Sequence, residues 1–253
     1  MSMHDLLVSG AIFLCLVGAS LGALLVSEQL PARYRHDDTS NVVRIAVNVF
    51  VVATSLVLGL LLNSAKDTHE AVDRNVHAFA TDIILLDRTL RHYGPEAAAA
   101  RDHLAAYVRR AVDGTWGAAG SSVLEDREAE RLLDAVGDAL LTIRPSDPAR
   151  IELWSDARAY YQNVVKRRWV LIDESDGTIP APFLVLLVMW LMLIFASYGY
   201  RAPRNAVVMT TLVVAALLIS GAIYLILDMD VPFSGTIRIS SAPMERAMEQ
   251  LRR

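Results

Sequence analysis

Four apolar runs constrain this chain more than any other feature: Leu6 to Val26, Val42 to Leu62, Phe183 to Tyr200, and Ala206 to Leu227. Each approaches the roughly 20 residues that an α-helix needs to cross a bilayer. Inside lipid every backbone N–H and C=O must be satisfied within the segment, and unbroken apolar runs of this length achieve that as helices. Yet the chain is 21% charged beside 54% hydrophobic, with a mean hydropathy of +0.36. That is too apolar for an ordinary soluble domain and too charged for a protein held wholly within a membrane. The first run follows MSMHD, without Lys or Arg, and no small-residue cleavage site precedes Glu28, so it reads as a permanent helix and not a signal peptide. Cys15, the single cysteine, lies inside that helix, which excludes an intramolecular disulfide and a cysteine metal site.

The connections decide the organisation. EQLPARYRHDDTS joins the first two runs and RAPR the last two, and both are too short to hold a domain. The runs therefore pair as a hairpin over 1–63 and a second over 179–228, with an aqueous domain over 64–178 between them and an aqueous tail over 229–253. The expected fold class is all-α, with four spans and an antiparallel helical bundle between the second and third. Val72, Val76, Phe79, Ile83, Leu86 and Leu90 recur at helical spacing, so one long helix should leave the membrane and stop at Gly94-Pro95. A second helix spans Glu96 to Val112, and a third starts from a Ser122/Glu125 capping box and reaches Ile143. A fourth runs from DPAR to about Ile172, with Trp154, Tyr161, Val165 and Trp169 as its core positions. The tail should turn, extend briefly, and end in a helix from about Met244.

Most catalytic chemistry is excluded. The chain has no Walker loop, GxGxxG turn, GxSxG elbow, HExxH or paired-cysteine motif, so no enzymatic activity and no cofactor are expected. Scattered basic residues and a net charge of -4 argue against nucleic acid as a partner. His69, Asp73 and His77 share one helix face and are candidates for a divalent metal, but no fourth ligand is evident and a solvated charged face explains them more simply. Asp87-Arg88 and Arg167-Arg168 read as solvated or ion-paired charges. Asp228 and Asp230 read as the marker of where the last span leaves the bilayer, or as cation collectors at a mouth.

The second run carries the strongest candidate site. In NVVRIAVNVFVVATSLVLGLLLNSAKDTHE, residues Asn41, Arg44, Asn48, Ser55, Gly59, Asn63 and Lys66 fall within an arc of about 100° at helical geometry. Polar groups at membrane depth must face other helices, a water-filled space, or both. Packing accounts for Asn48, Ser55 and Gly59, because small and polar residues serve helix–helix contacts in membranes. Arg44 and Lys66 fit packing less well, although long side chains snorkel. The residues alone leave pore lining and packing equally open.

Three segments resemble a known family. TSLVLGLLLNSAKDTHE with LLDRTLRHYGPEAAAARDHL, then RRWVLIDESDGTIPAPFLVLLVMW, and finally FASYGYRAPRNAVV running into LILDMDVPFSGTIRISSAPM are similar to the bacterial DUF4239, or bestrophin-like, membrane proteins. APRN and PFSGTIRIS are the specific parts. The resemblance implies four spans with a helical domain between the second and third, and kinship with bestrophin anion channels. Bestrophins are pentamers whose second span lines the pore, which would place Asn48, Ser55 and Asn63 along a conduction path.

The expected function is a homo-oligomeric ion channel in the bacterial inner membrane. Its partners would be the bilayer, further copies of itself and inorganic ions, with Arg44, Asn48, Ser55, Gly59, Asn63 and Lys66 lining the pore. Arg44 and Lys66, one toward each end, favour anions. Two alternatives remain: a membrane-anchored sensor, which needs a cleft with converging polar groups in the middle bundle, and a structural or assembly factor, which needs the stripe buried within one subunit. Arg33 and Arg35 in one short loop and Arg201 and Arg204 in the other put both loops in the cytoplasm, and hence the middle domain and both termini outside.

Overall fold

A computed structural model describes residues 3–26, 37–117, 126–175, 179–203, 205–233 and 235–252. The described residues form α-helices and one 3-10 turn, with no strand among them. In chain order the helices are α1 (Met3–Val26), α2 (Asp37–Tyr93), α3 (Ala98–Thr115), α4 (Arg127–Thr142), α5 (Pro148–Asp173), α6 (Ala181–Arg201), α7 (Ala206–Asp230) and α8 (Ala242–Leu251). Four of them, α1, α2, α6 and α7, are long and apolar enough to cross a membrane. Two compact units result, Met1–Asp67 with Thr178–Asp230 and Thr68–Gly177 with Val231–Arg253.

In the first unit α1 packs against both α6 and α7. Ile12, Leu16, Leu187, Leu191, Phe195 and Ile223 form its core, and Val57, Leu58 and Leu61 of α2 pack on it. Lipid tails are as apolar as leucine, so close backbone approach and polar links must supply what hydrophobic burial cannot. Both are present. A Cβ on Gly199 would lie 2.0 Å from the Ser20 carbonyl oxygen, so α6 reaches α1 only because residue 199 has no side chain. Ser9 and Ser220 exchange hydrogen bonds between α1 and α7: Ser9 Oγ donates to the Ser220 carbonyl at 3.0 Å, and Ser220 Oγ to the Ser9 carbonyl at 2.6 Å. The outer faces keep exposed apolar side chains such as Leu7, Leu14, Phe183, Met189, Leu217 and Leu218. Asp228 and Asp230 are buried rather than displayed at a mouth; Asp230 accepts the Ile179 backbone N–H at 3.1 Å. A carboxylate engaged this way closes a polar gap at the end of α7.

In the second unit the six α2 positions expected in the core are all buried. Gly94 ends α2 with φ of +110°, where side chains are strained, and Pro95–Ala97 forms a 3-10 turn into α3. The Ser122/Glu125 capping box lies outside the described residues. Asp126 caps α4 instead, accepting the Glu128 N–H, and that bond together with Arg110 holds its carboxyl below the usual carboxylate range. Asp147 caps α5 ahead of Pro148.

Along α5 the buried residues are Ala157, Val164, Arg168 and Leu171, a face rotated by about 80° from the one drawn through the large aromatics. Trp154, Tyr161 and Val165 pack at its edge, while Trp169 is exposed. Side-chain bulk does not set the seam, which Ala157 and Arg168 share with Val164 and Leu171. Beyond Val231 the chain bends without a strand among the described residues, and α8 packs on α3. Trp116 Nε1 donates to the Ile239 carbonyl at 2.8 Å, and its ring meets Phe233 edge-on.

Buried charge ties these helices together. Asp87 is 2% exposed and accepts from Arg91 at 2.6 Å and Arg101 at 2.8 Å, and Arg91 also donates to the Gln250 carbonyl. One carboxylate thus links α2, α3 and, through Arg91, α8. Arg88 beside it is exposed, as a solvated charge should be. Arg167 pairs with Asp82 across α5 and α2.

Two substitutions test this packing in the full chain in detergent. Gly199→Ala should lower the thermal midpoint by the equivalent of about 1–3 kcal/mol through overpacking, whereas Gly59→Ala, which meets nothing within 4 Å, should not lower it. Equal behaviour of the two would contradict the close α1–α6 crossing. Asp87→Asn should cost about 2–4 kcal/mol by leaving two guanidinium groups without their shared carboxylate. Arg88→Gln should stay within about 0.5 kcal/mol. Thermal melts followed by circular dichroism distinguish these outcomes.

Candidate functional site

Within the first unit α2 buries one edge. Val47, Thr54 and Ala65 are its buried residues there, and at helical geometry they point within about 20° of one another. The polar stripe is centred about 100° away from that edge. Arg44, Asn48, Ser55, Gly59, Asn63 and Lys66 are all exposed, and the side chain of Asn41 lies outside the described residues. Ile45, Val49, Val52, Leu56 and Leu60 flank the stripe and are exposed as well. The helix therefore presents a polar strip with an apolar border, and neither is covered within the unit.

The hydrogen bonds agree with this outward placement. Ser55 Oγ donates to the Val51 carbonyl one turn back at 2.8 Å, and Asn63 Nδ2 donates to Asp67 Oδ2 at 2.9 Å. Both partners belong to α2. In this Ser55 and Asn63 differ from Ser9 and Ser220, which bond between α1 and α7.

The stripe also divides. Arg44 and Asn48 line a cavity of about 380 Å³ together with Ser197 and Tyr198 of α6 and Thr211 of α7, whereas Ser55, Gly59, Asn63 and Lys66 do not. Ser197, Tyr198 and Thr211 were missed as site residues, although a tyrosine near the end of a span is a usual mark of the membrane boundary. α2 continues as one helix through Leu62 and Asp73 to Tyr93.

His69, Asp73 and His77 do not gather. His77 Nδ1 lies 2.9 Å from the Asp73 carbonyl oxygen and 3.5 Å from its carboxylate, and among the described residues no group of three or more His, Cys, Asp or Glu is placed to hold a metal. Helical spacing alone puts three residues on a face without converging them on a point.

The second unit has its own cleft, about 420 Å³ between α4 and α5, where Asp134 and Asp138 face Arg158, Tyr161 and Gln162. Tyr161 reaches it because residue 137 is glycine; a Cβ there would lie 2.5 Å from the phenol oxygen. Burial, and then the charges of Asp134 and Asp138, push the Tyr161 phenol above its ordinary value. Tyr161 was expected only as a core residue, since its two carboxylate neighbours come from another helix.

Residues 14–244 match the family described as bestrophin-like domain. No curated protein and no solved structure matches the chain. The matched region begins inside α1, takes in the remaining three spans and the intervening bundle, and ends in α8. The chain belongs to the bestrophin-like family of membrane proteins.

Proposed function

We propose that this protein is a homo-oligomeric ion channel of the bacterial inner membrane, conducting rather than catalytic, with the outward stripe of α2 along the conduction path. The observation that carries the proposal is the exposure of that stripe at the surface of its own unit. Polar side chains facing lipid are costly, so water and further copies of the chain are the covering that relieves the cost. Ser55, Gly59, Asn63 and Lys66 would line the path, with Arg44 and Asn48 at its other end beside the α6–α7 cavity. Cations at Arg44 and Lys66 raise the local anion concentration, which supports a preference for anions. Five-fold symmetry follows by analogy with the bestrophins.

A second reading, a membrane-anchored sensor, is supported by the charged cleft between α4 and α5. It needs no conduction path. The two readings part on one measurement, the current carried by the purified full chain in planar bilayers under an ionic gradient.

For a channel, Ser55→Asp should leave the oligomer intact, because water solvates the new charge, and should shift the reversal potential toward cations. Ser55→Leu should cut the current several-fold. If the unaltered protein carries no current, or if Ser55→Asp dissociates the oligomer, the pore assignment fails and the sensor reading takes its place. The positive-inside arginines support a middle domain outside the cytoplasm. Accordingly, a reporter fused after Arg253 should be active only in its exported form; activity confined to the cytoplasm would reverse the topology.

A further inference from the structure

The cleft between α4 and α5 sets a cation and two anions side by side and leaves them unpaired. Among the described residues, the side chains of Asp134, Asp138 and Arg158 form no ion pair and no hydrogen bond; Arg158 instead lies over the Trp154 ring, 4.8 Å from its centroid. A surface ion pair is weak enough for stacking on tryptophan to outcompete it. Tyr161 and Gln162 likewise bring a phenol and an amide to the cleft without a hydrogen-bond partner among the described residues.

The helix pairing fixes the order of these groups. Trp154 Nε1 of α5 donates to the Leu140 carbonyl of α4 at 2.9 Å, and further along α5 Tyr161 lies against Gly137, so the two helices run antiparallel here. Arg158 falls between those two levels, next to Asp138, while Gln162 follows Tyr161 toward Asp134. At helical geometry Asp134, Gly137 and Asp138 share an arc of about 100° on α4, and Arg158, Tyr161 and Gln162 share one on α5. Along the cleft the groups therefore run guanidinium, carboxylate, phenol ring, and a second carboxylate beside an amide. The two carboxylates stand one turn apart, about 5–6 Å between their Cβ atoms.

The charge balance selects the ligand. Two carboxylates face one guanidinium, and the Tyr161 phenol, held above its ordinary value, stays neutral. Such a set is matched by a compound that carries two cations and one anion in that order. A volume of about 420 Å³ is in the range of small-molecule sites, about 300–1,000 Å³. Asp134, Asp138 and Gln162 are exposed and Arg158 and Tyr161 half-buried, so a ligand can enter from water.

We propose that the α4–α5 cleft binds a free basic amino acid, with its carboxylate on Arg158, its α-ammonium on Asp138, its methylenes along the Tyr161 ring and its terminal ammonium on Asp134 beside Gln162. Gly137 keeps the floor of the cleft open for the phenol, since a Cβ there would lie 2.5 Å from the phenol oxygen. The site goes beyond the channel reading and does not depend on it, because binding is measured without current.

The test titrates the purified full chain in detergent with L-lysine, L-norleucine and 1,5-diaminopentane by isothermal calorimetry, at low ionic strength so that exposed charges are little screened. Lysine should bind once per protomer. Norleucine, which lacks the terminal ammonium, and 1,5-diaminopentane, which lacks the carboxylate, should each bind about five-fold more weakly, for one lost charge-assisted contact. Asp134→Asn should erase the difference between lysine and norleucine, and Arg158→Gln the difference between lysine and 1,5-diaminopentane. Gly137→Ala displaces only the phenol at the end of a flexible side chain and should weaken lysine binding several-fold, which keeps the proposal testable if Arg158→Gln fails to fold.

Absence of lysine binding, or equal binding of the three compounds, would overturn the site. So would an unchanged lysine affinity in Asp134→Asn or Gly137→Ala. Tighter binding of 1,5-diaminopentane than of lysine would also overturn it, because the cleft would then be a merely acidic surface that collects amines.

Discussion

α2 keeps one buried edge throughout its described side chains. Val47, Thr54 and Ala65 bury that edge in the first unit, and Val72, Val76, Phe79, Ile83, Leu86 and Leu90 bury it in the second. The spacing between successive members is three, four, seven or eleven residues, which are all near-whole numbers of helical turns. Beside it, α1 packs on α6 and α7 in the first unit and α3 on α4 and α8 in the second, while the opposite side of α2 is left uncovered. In the aqueous unit that uncovered side is charged and needs nothing. In the membrane unit it is apolar, through Ile45, Val49, Val52, Leu56 and Leu60, and the polar stripe lies between it and the buried edge, exposed as well.

Polar groups in this protein are handled in two different ways, and the contrast supports the functional reading. Where a polar group belongs to the fold, it is bonded to another helix: Ser9 to Ser220, Asp87 to Arg101, Trp154 to the Leu140 carbonyl, Asp82 to Arg167. Where it belongs to the stripe, as in Ser55 and Asn63, it is bonded within α2 and left open to the outside. A buried group without its partner costs the desolvation of that group, which favours the first arrangement, although Thr54, Tyr93, Tyr107 and Thr115 keep buried side-chain oxygens without a hydrogen-bond partner among the described residues. In the second arrangement Ser55 and Asn63 each have one bond within their own helix and remain exposed at the surface of the unit.

The close approaches have a similar logic. Gly199 and Gly137 each sit where a side chain would collide, the first with a backbone carbonyl and the second with a phenol. At Gly199 the close approach strengthens packing that lipid cannot drive. At Gly137 it shapes the charged cleft. Gly59, on the stripe, meets nothing, and its presence is explained by neither.

The number of spans, the helical bundle, the end of α2 at Gly94, and the six core positions of its aqueous half were legible in the chain, because run length, breakers and helical period are local properties. The stripe was legible for the same reason, as a set of positions on one helix. What lies opposite those positions was not. The Arg44 cavity needs Tyr198 and Thr211 from distant spans, the cleft needs α4 and α5 to meet over Gly137, and the triad around Asp87 needs three helices to converge. The face of α5 was misjudged because burial followed the register of its neighbours and not the size of its aromatics, placing Arg168 inward and Trp169 outward. Sequence by itself determined which residues share a face, since that depends on 3.6 residues per turn. Only the tertiary structure decided which faces are enclosed, because enclosure depends on partners far away along the chain.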